Sequence, residues 1–138
     1  MTELNLPPGP PQANDISAFA GMIGLRVISA TATRVEAELT VRPDLLNRNG
    51  VLHGGAIMAL ADILGGLGTV TAIRPDQSTT TVESKTNFFR PLVLGEVVRA
   101  ISEPLHQGRR TQVWQTSVRR GDGKLAAQIT QTQMVLEP

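Results

Sequence analysis

The chain has 138 residues, of which 41% are hydrophobic and 18% charged, and its formal net charge is +1. This length is typical of one domain with its own core, and the balanced charge argues against a dedicated nucleic-acid-binding protein. The chain has no cysteine and only two histidines, which lie far apart at His53 and His106. Disulfides and cysteine-ligated zinc are therefore excluded, and we expect no resident metal.

The N-terminal segment is rich in proline, with Pro7, Pro8, Pro10 and Pro11. It has no basic stretch followed by an apolar one, so it does not resemble a secretory signal peptide. We expect a flexible arm over residues 1–13, a single domain over residues 14–138, and a cytoplasmic protein.

A short helix and two strands are the first predicted elements. The helix spans Asp15–Gly21, is capped by Asn14 or Asp15, and directs Ile16, Phe19 and Ala20 inward. A strand over Leu25–Ala30 follows. The next strand, over residues 34–41, alternates polar with apolar side chains, which predicts one solvent-exposed face and one buried face.

A long apolar helix is predicted from about Gly54 to Val70, after a glycine-rich loop over Asn47–Gly55. Apolar residues occur on all sides of this helix, so we expect the rest of the protein to enclose it. Its single charged residue, Asp62, is costly at bilayer depth, which favours a core helix over a membrane span.

The remainder of the chain is predicted to be extended. Four strands are expected, the last two joined by a hairpin at Gly121-Asp122-Gly123: Thr79–Phe89, Val97–Ser102, Arg110–Arg119 and Leu125–Leu136. The order of short helix, two strands, long helix and four strands predicts an α+β fold. Its simplest form is a curved antiparallel sheet wrapped around the one central α-helix.

The start of the long helix is a candidate site for chemistry. Gly54 and Gly55 expose backbone N–H groups at the positive end of the helix dipole, which is the requirement for an oxyanion hole. Glycine in a first turn costs helix stability, so two of them indicate that something approaches the backbone closely. A tight corner without a ligand is the alternative.

Asp62 is the second candidate, as either a hydrogen-bonded structural carboxylate or a base or nucleophile in acyl transfer. It follows Gly54 by eight residues, which on an α-helix is about 12 Å along the axis and about 80° in direction. One carbonyl carbon cannot contact both within one chain. If both act in one reaction, a two-fold oligomer must pair one helix start with the partner's carboxylate.

A longer pattern contains these residues: Asn47-x-x-Gly50-x-x-His53-Gly54-Gly55, with Asp62 seven positions later. It resembles the signature of hotdog-fold thioesterases, in the PaaI-like branch named after phenylacetic acid degradation. The resemblance covers nearly the whole chain, because later segments are also similar to the family: Phe88-Phe89-Arg90-Pro91, Leu94-Gly95-Glu96, Gly108-Arg109-Arg110 and Asp122-Gly123-Lys124. It implies the hotdog fold, with one long helix inside a curved sheet.

The resemblance also implies a role for each site residue. Gly54 would donate its N–H to the thioester carbonyl, and Asn47 would polarise or orient that group. Asp62 of the facing subunit would activate water or attack the carbonyl directly. His53 would orient the loop or the thioester, or only cap the helix. Thr81 matches a position whose hydroxyl holds the attacking water; the alternative is an ordinary strand threonine.

Coenzyme A is the substrate carrier that the family binds, with its phosphates at a basic surface. Residues 85–138 carry eight basic and four acidic residues, whereas residues 1–84 carry five basic and eight acidic ones. The candidates for phosphate contact in the basic half are Arg90, Arg109, Arg110 and Lys124. Exposed arginines at hairpin ends also occur without any ligand.

The resemblance therefore implies an acyl-CoA thioesterase that acts on aryl- or medium-chain acyl-CoA, without metal or redox cofactor. It implies a homodimer or a dimer of dimers, a homotetramer, with active sites between subunits. Two alternatives are a non-catalytic acyl-CoA-binding module and an enoyl-CoA hydratase or dehydratase. The acyl group, the choice between coenzyme A and acyl-carrier protein, and the role of Asp62 as base or nucleophile all stay open at this point.

Overall fold

The computed structural model of the chain describes residues 10–138. In this part of the chain, a 3-10 turn at Pro43–Leu45 accompanies three α-helices and six β-strands: α1 (Ala13–Ile16), α2 (Ala18–Ile23), β1 (Arg26–Thr31), β2 (Arg34–Thr40), α3 (Gly54–Ala72), β3 (Ser78–Phe88), β4 (Val97–Gln107), β5 (Thr111–Arg119) and β6 (Leu125–Leu136). Residues 1–9 of the predicted arm lie outside the described residues. Of the remainder of that arm, Pro11 is buried and Ala13 begins α1.

The six strands form one antiparallel sheet in the order β1-β2-β4-β5-β6-β3. The long helix α3 contacts every one of these strands, so the sheet curves around it. This confirms the predicted α+β hotdog architecture, including the hairpin between β5 and β6. In that hairpin Gly123 has a φ of +86°. The Lys124 N–H donates to the Asp122 carboxylate at 3.0 Å and lowers the pKa of Asp122.

The core lies between α3 and the concave face of the sheet. Strand β5 alternates strictly, with Trp114 and Val118 on the buried face. Trp114 lies directly against α3, where a Cβ added at Gly68 would overlap its ring. Glycine at position 68 thus lets the helix approach the largest side chain of the core.

Strand β4 is longer than predicted and continues to Gln107. The predicted strand ends at Ser102. The observed strand continues past Pro104, which cannot donate a ladder hydrogen bond. In the structure, β2 stops pairing with β4 at Ser102, so Pro104 is paired only with β5. A register shift between Pro104 and His106 accommodates the irregularity on that side.

The predicted N-terminal helix is wrong in its bounds and in one buried residue. It is two short helices, because Ser17 is extended (φ −166°, ψ 156°) and its hydroxyl caps α2 by accepting from the Ala20 N–H at 3.0 Å. Ala20 is buried as expected, but Phe19 is 48% exposed. The helix α1 is preceded by Gln12, which makes no side-chain capping bond.

The expectation that α3 is enclosed on all sides is wrong for the single chain. The helix is long and apolar enough to satisfy the length and hydropathy criteria for a membrane span, but one face of it packs against the sheet. The other face is left open where the sheet ends, and Met58 and Asp62 are exposed there. Apolar residues on all sides of a helix predict that it is buried, but they do not indicate whether the same chain or a second chain buries it.

Replacing Gly68 by alanine tests the contact between α3 and Trp114. The added Cβ has no room beside the ring, so Gly68→Ala should lower the free energy of unfolding by about 1–2 kcal/mol despite alanine's better helix propensity. Gly66→Ala is the matched control, because nothing lies within 4 Å of its added Cβ. Urea unfolding at one fixed protein concentration measures both, and equal stability of the two variants would contradict this packing.

Candidate active site

The loop before α3 is organised by the side chain of Asn47. Its Oδ1 accepts hydrogen bonds from the N–H groups of Asn49 (2.9 Å) and Val51 (3.3 Å). Two N–H donors fix which end of the amide faces the loop, since the amide nitrogen cannot accept them. The turn is completed by Gly50, whose φ is +79°. The Asn47 Nδ2 group is left as a donor with no acceptor among residues 10–138.

His53 caps the first turn of α3. Its Nδ1 accepts from the Gly55 N–H at 2.8 Å, and its carbonyl accepts from Ala56 (2.9 Å) and Ile57 (3.3 Å). Within the described part of the chain, the N–H of Gly54 is therefore the one donor of this turn without an acceptor. The positive end of the helix dipole and a free donor coincide there. Of the two roles left open for His53, capping is the one this geometry displays.

A groove of about 330 Å³ surrounds Gly54. Asn47 and Gly54 both line it, so the two residues that carry the unpaired donors border the same space. The ring of Phe88 bounds it closely, since a Cβ added at Gly54 would lie 3.2 Å from Cζ of that ring. The groove can therefore receive an atom that carries partial negative charge, with apolar walls around it.

Asp62 lies two turns further along α3, and its side chain is exposed rather than enclosed. Thr81, on strand β3, donates its hydroxyl to Asp62 Oδ1 at 2.6 Å. A second groove, of about 420 Å³, opens beside this pair and is lined by Ile63, Leu67 and Val70 among others. Thr81 is thus bonded to the carboxylate itself, and its predicted contact with the attacking water stays a prediction.

Three polar residues beside this pair were not anticipated: Thr79, Gln131 and Gln133. Gln133 Nε2 donates to Thr81 Oγ1 at 2.6 Å, and Thr79 donates to Gln133 Oε1 at 2.9 Å. A signal for the two glutamines existed, because they occupy the inward positions of β6 between Ile129 and Val135. It was hidden because outward positions of the same strand are also glutamine and threonine.

The predicted catalytic residues form two separate groups in one chain. Asn47, His53 and Gly54 lie at the start of α3, whereas Asp62 and Thr81 line the other groove. A further surface cavity of about 510 Å³, beneath the N-terminal segment, contains none of them. One chain thus presents two half-sites, as the spacing along the helix predicts.

The four basic candidates also separate into two pairs. Arg90 lines the Gly54 groove and donates to the Leu125 carbonyl at 2.7 Å, next to Lys124. Arg109 and Arg110 precede β5, and Lys124 lies beyond its other end. This nine-residue strand is about 30 Å long, so the two pairs of one chain cannot bind the same phosphate.

Known proteins similar to this chain share its fold and its family. The family model of the thioesterase superfamily matches residues 49–127. Rv1847, a predicted esterase of Mycobacterium tuberculosis, is 30% identical over 115 residues, which are 81% of each chain. The structure of thioesterase HI1161 from Haemophilus influenzae is 25% identical, with a TM-score of 0.83 over 99% of this chain and 96% of that one. The structure of smu.793 from Streptococcus mutans bound to acetyl CoA is 25% identical, with a TM-score of 0.77 over 83% and 90%.

Proposed function

The chain belongs to the thioesterase superfamily, whose members hydrolyse thioesters, and from this premise we propose that it cleaves aryl- or medium-chain acyl-CoA into the free acid and coenzyme A. The observation that carries the proposal is the free Gly54 N–H at the start of α3. Binding of acetyl CoA by the similar protein smu.793 supports coenzyme A as the carrier.

The thioester carbonyl is polarised at the Gly54 groove. The Gly54 N–H and the Asn47 amide are neutral donors without acceptors of their own among residues 10–138. Both line the groove, and both strengthen their bonds to the carbonyl oxygen as it gains charge in the tetrahedral intermediate. Because His53 uses the other N–H groups of the turn, the donor at Gly54 is the one left for substrate.

Asp62 acts on the other face of the carbonyl. Thr81 occupies Oδ1, which leaves Oδ2 to accept a proton from water. The water oxygen forms the new bond to the carbonyl carbon, the carbon–sulfur bond breaks, and the thiolate of coenzyme A takes up the proton. Acid and thiol are the products, and water is the only co-substrate.

Both groups reach one carbonyl only if two copies of the chain combine. In a two-fold pair with antiparallel α3 helices, Gly54 of one copy faces Asp62 of the other when the axis passes the midpoint, Met58. Met58 is 39% exposed in the single chain. Each axis of this kind creates two equivalent sites, in a dimer or in the dimers of a tetramer.

The open side of α3 and the neighbouring strand β3 form the surface for this pairing. Strand β3 is an 11-residue edge strand whose outer side pairs with no other strand among residues 10–138, and Val82 and Phe88 on it are more than half exposed. An exposed apolar edge strand of this length is a surface on which a second copy can pair.

The groove beside Asp62 is suited to an apolar acyl group. Among its lining residues Asp62 carries the only charge, and the aliphatic part of the wall consists of Ile16, Ile63, Leu67 and Val70. Across a two-fold axis, Arg90 and Lys124 of one copy and Arg109 and Arg110 of the other are the groups available for the phosphates of coenzyme A.

Gly54→Pro tests the N–H donor in isolation. Proline is favoured at the first position of a helix, and His53 already has the extended conformation (φ −60°, ψ 133°) that precedes proline. Gly54→Ala is the matched control, because it adds the same Cβ near Phe88 and keeps the N–H. We expect Gly54→Pro to turn over about 10²–10³-fold more slowly than Gly54→Ala. Equal rates in thiol-release assays would remove this donor from the mechanism.

Asp62→Asn tests the carboxylate with a panel of acyl-CoA substrates. The variant keeps the side-chain shape and an acceptor for Thr81, so it should fold normally and lose about 10²–10⁴-fold in kcat. A single turnover in isotopically labelled water tests for nucleophilic attack, since unlabelled acid together with a labelled Asp62 carboxylate arises only from an anhydride opened at Asp62, whereas a base places the label in the acid. Saturable binding of acyl-CoA by the unmodified protein without thiol release would contradict the proposed hydrolysis.

A further inference from the structure

Two buried glutamines occupy positions of β6 where the strand pattern calls for apolar side chains. Gln131 is 0% and Gln133 1% exposed, and their inward neighbours along the strand are Ile129 and Val135. Burying an amide is unfavourable unless its donors and acceptor are bonded. The hydrogen bonds of these two side chains therefore explain how two amides can occupy core positions.

The orientation of both amides follows from one backbone carbonyl. The Ala61 carbonyl can only accept, so the group 2.6 Å from it is the NH₂ of Gln131. The oxygen of Gln131 then faces Gln133 at 2.6 Å, which makes the NH₂ of Gln133 the donor. The oxygen of Gln133 then lies 2.9 Å from the Thr79 hydroxyl, which has a second acceptor in the Met134 carbonyl at 3.0 Å. The Ala61 carbonyl thus determines the orientation of both amides.

The same reasoning fixes the hydroxyl proton of Thr81. Gln133 Nε2 donates to Thr81 Oγ1 at 2.6 Å, so one lone pair of this oxygen is occupied. The proton of Thr81 is thereby directed to the Asp62 carboxylate, also at 2.6 Å. The contacts close a ring that leaves α3 at Ala61, crosses two strands and returns to α3 at the adjacent residue, Asp62.

We propose that Gln133 is a positioning residue for hydrolysis: through Thr81 it holds Asp62 Oδ1, so that Oδ2 faces the substrate. The inference rests on the proposed role of Asp62. Gln133 is 1% exposed at the wall of the groove beside Asp62, and we place its effect on the direction of the Thr81 hydroxyl. An exposed carboxylate on a helix otherwise samples several rotamers, and fixing one of them brings the reacting atoms into line more often.

The glycine at position 65 supports this assignment. A Cβ added there would overlap the amide of Gln131, although alanine would favour the helix. The neighbouring Gly66 has no such contact. The helix is therefore shaped to admit Gln131 against it, and Gln131 in turn orients Gln133.

The test compares Gln133→Met with Gln112→Met. Gln112 lies opposite Gln133 on β5, is equally buried, and accepts from the Trp114 ring N–H at 2.9 Å, so its replacement also removes a bonded core amide. It contacts neither Thr81 nor Asp62. We expect Gln133→Met to lower kcat about 10–100-fold with little change in KM, whereas Gln112→Met stays within about twofold of the unmodified kcat. Equal loss of kcat in the two variants would reduce Gln133 to a structural residue and overturn the proposal.

A double-mutant cycle with Thr81→Val tests whether Gln133 affects Asp62 through the Thr81 hydroxyl. If Gln133 acts through Thr81, adding Gln133→Met to Thr81→Val leaves kcat unchanged, and Thr81→Ser retains the sensitivity to Gln133→Met because it retains the hydroxyl. A double variant whose loss of kcat equals the product of the two single losses would contradict the proposal. The activity of Asp62→Asn separates failure of the proposed function from failure of the positioning role of Gln133. An active Asp62→Asn variant refutes the proposed function. An inactive Asp62→Asn variant together with a fully active Gln133→Met variant refutes the positioning role alone.

Discussion

The distance along α3 between Gly54 and Asp62 is the constraint on which the rest of the account depends. Two turns of a rigid helix hold a free N–H and a carboxylate about 12 Å apart and in different directions. The fold keeps them apart as well, because each lines its own groove. A chemistry that uses both is therefore a property of two chains, and the unpaired strand β3 with the open side of α3 is the surface on which they meet.

Polar groups around this helix are arranged so that few donors remain free. His53 satisfies three backbone positions of the first turn and leaves Gly54. The side-chain oxygen of Asn47 accepts hydrogen bonds from the loop, which leaves its NH₂ group free to donate. At the other half-site, buried glutamines and Thr81 hold one oxygen of Asp62. In each case a hydrogen bond made within the chain determines which atom is left for a ligand.

The sequence predicted the architecture well because strand alternation and helix length are local signals. The start of α3 at Gly54 and five of the six strands lie within one residue of the predicted positions, whereas β4 continues five residues further. The exposed face of α3 was missed because Met58 is apolar, and an apolar residue indicates burial without indicating by which chain. Gln133 was missed for the opposite reason: polar residues on both faces of β6 conceal the inward one. Contacts between distant segments, such as Thr81 with Asp62, depend on register and needed the structure.

Mixing two inactive variants tests the shared site most directly. Gly54→Pro and Asp62→Asn proteins, each inactive, are combined under conditions in which native mass spectrometry shows subunit exchange. Every hybrid pair contains one site with an intact Gly54 facing an intact Asp62, so an equal mixture should regain about a quarter of the unmodified activity. Complete exchange without recovered thiol release would show that both groups act within one chain, or do not act together, and would contradict the account.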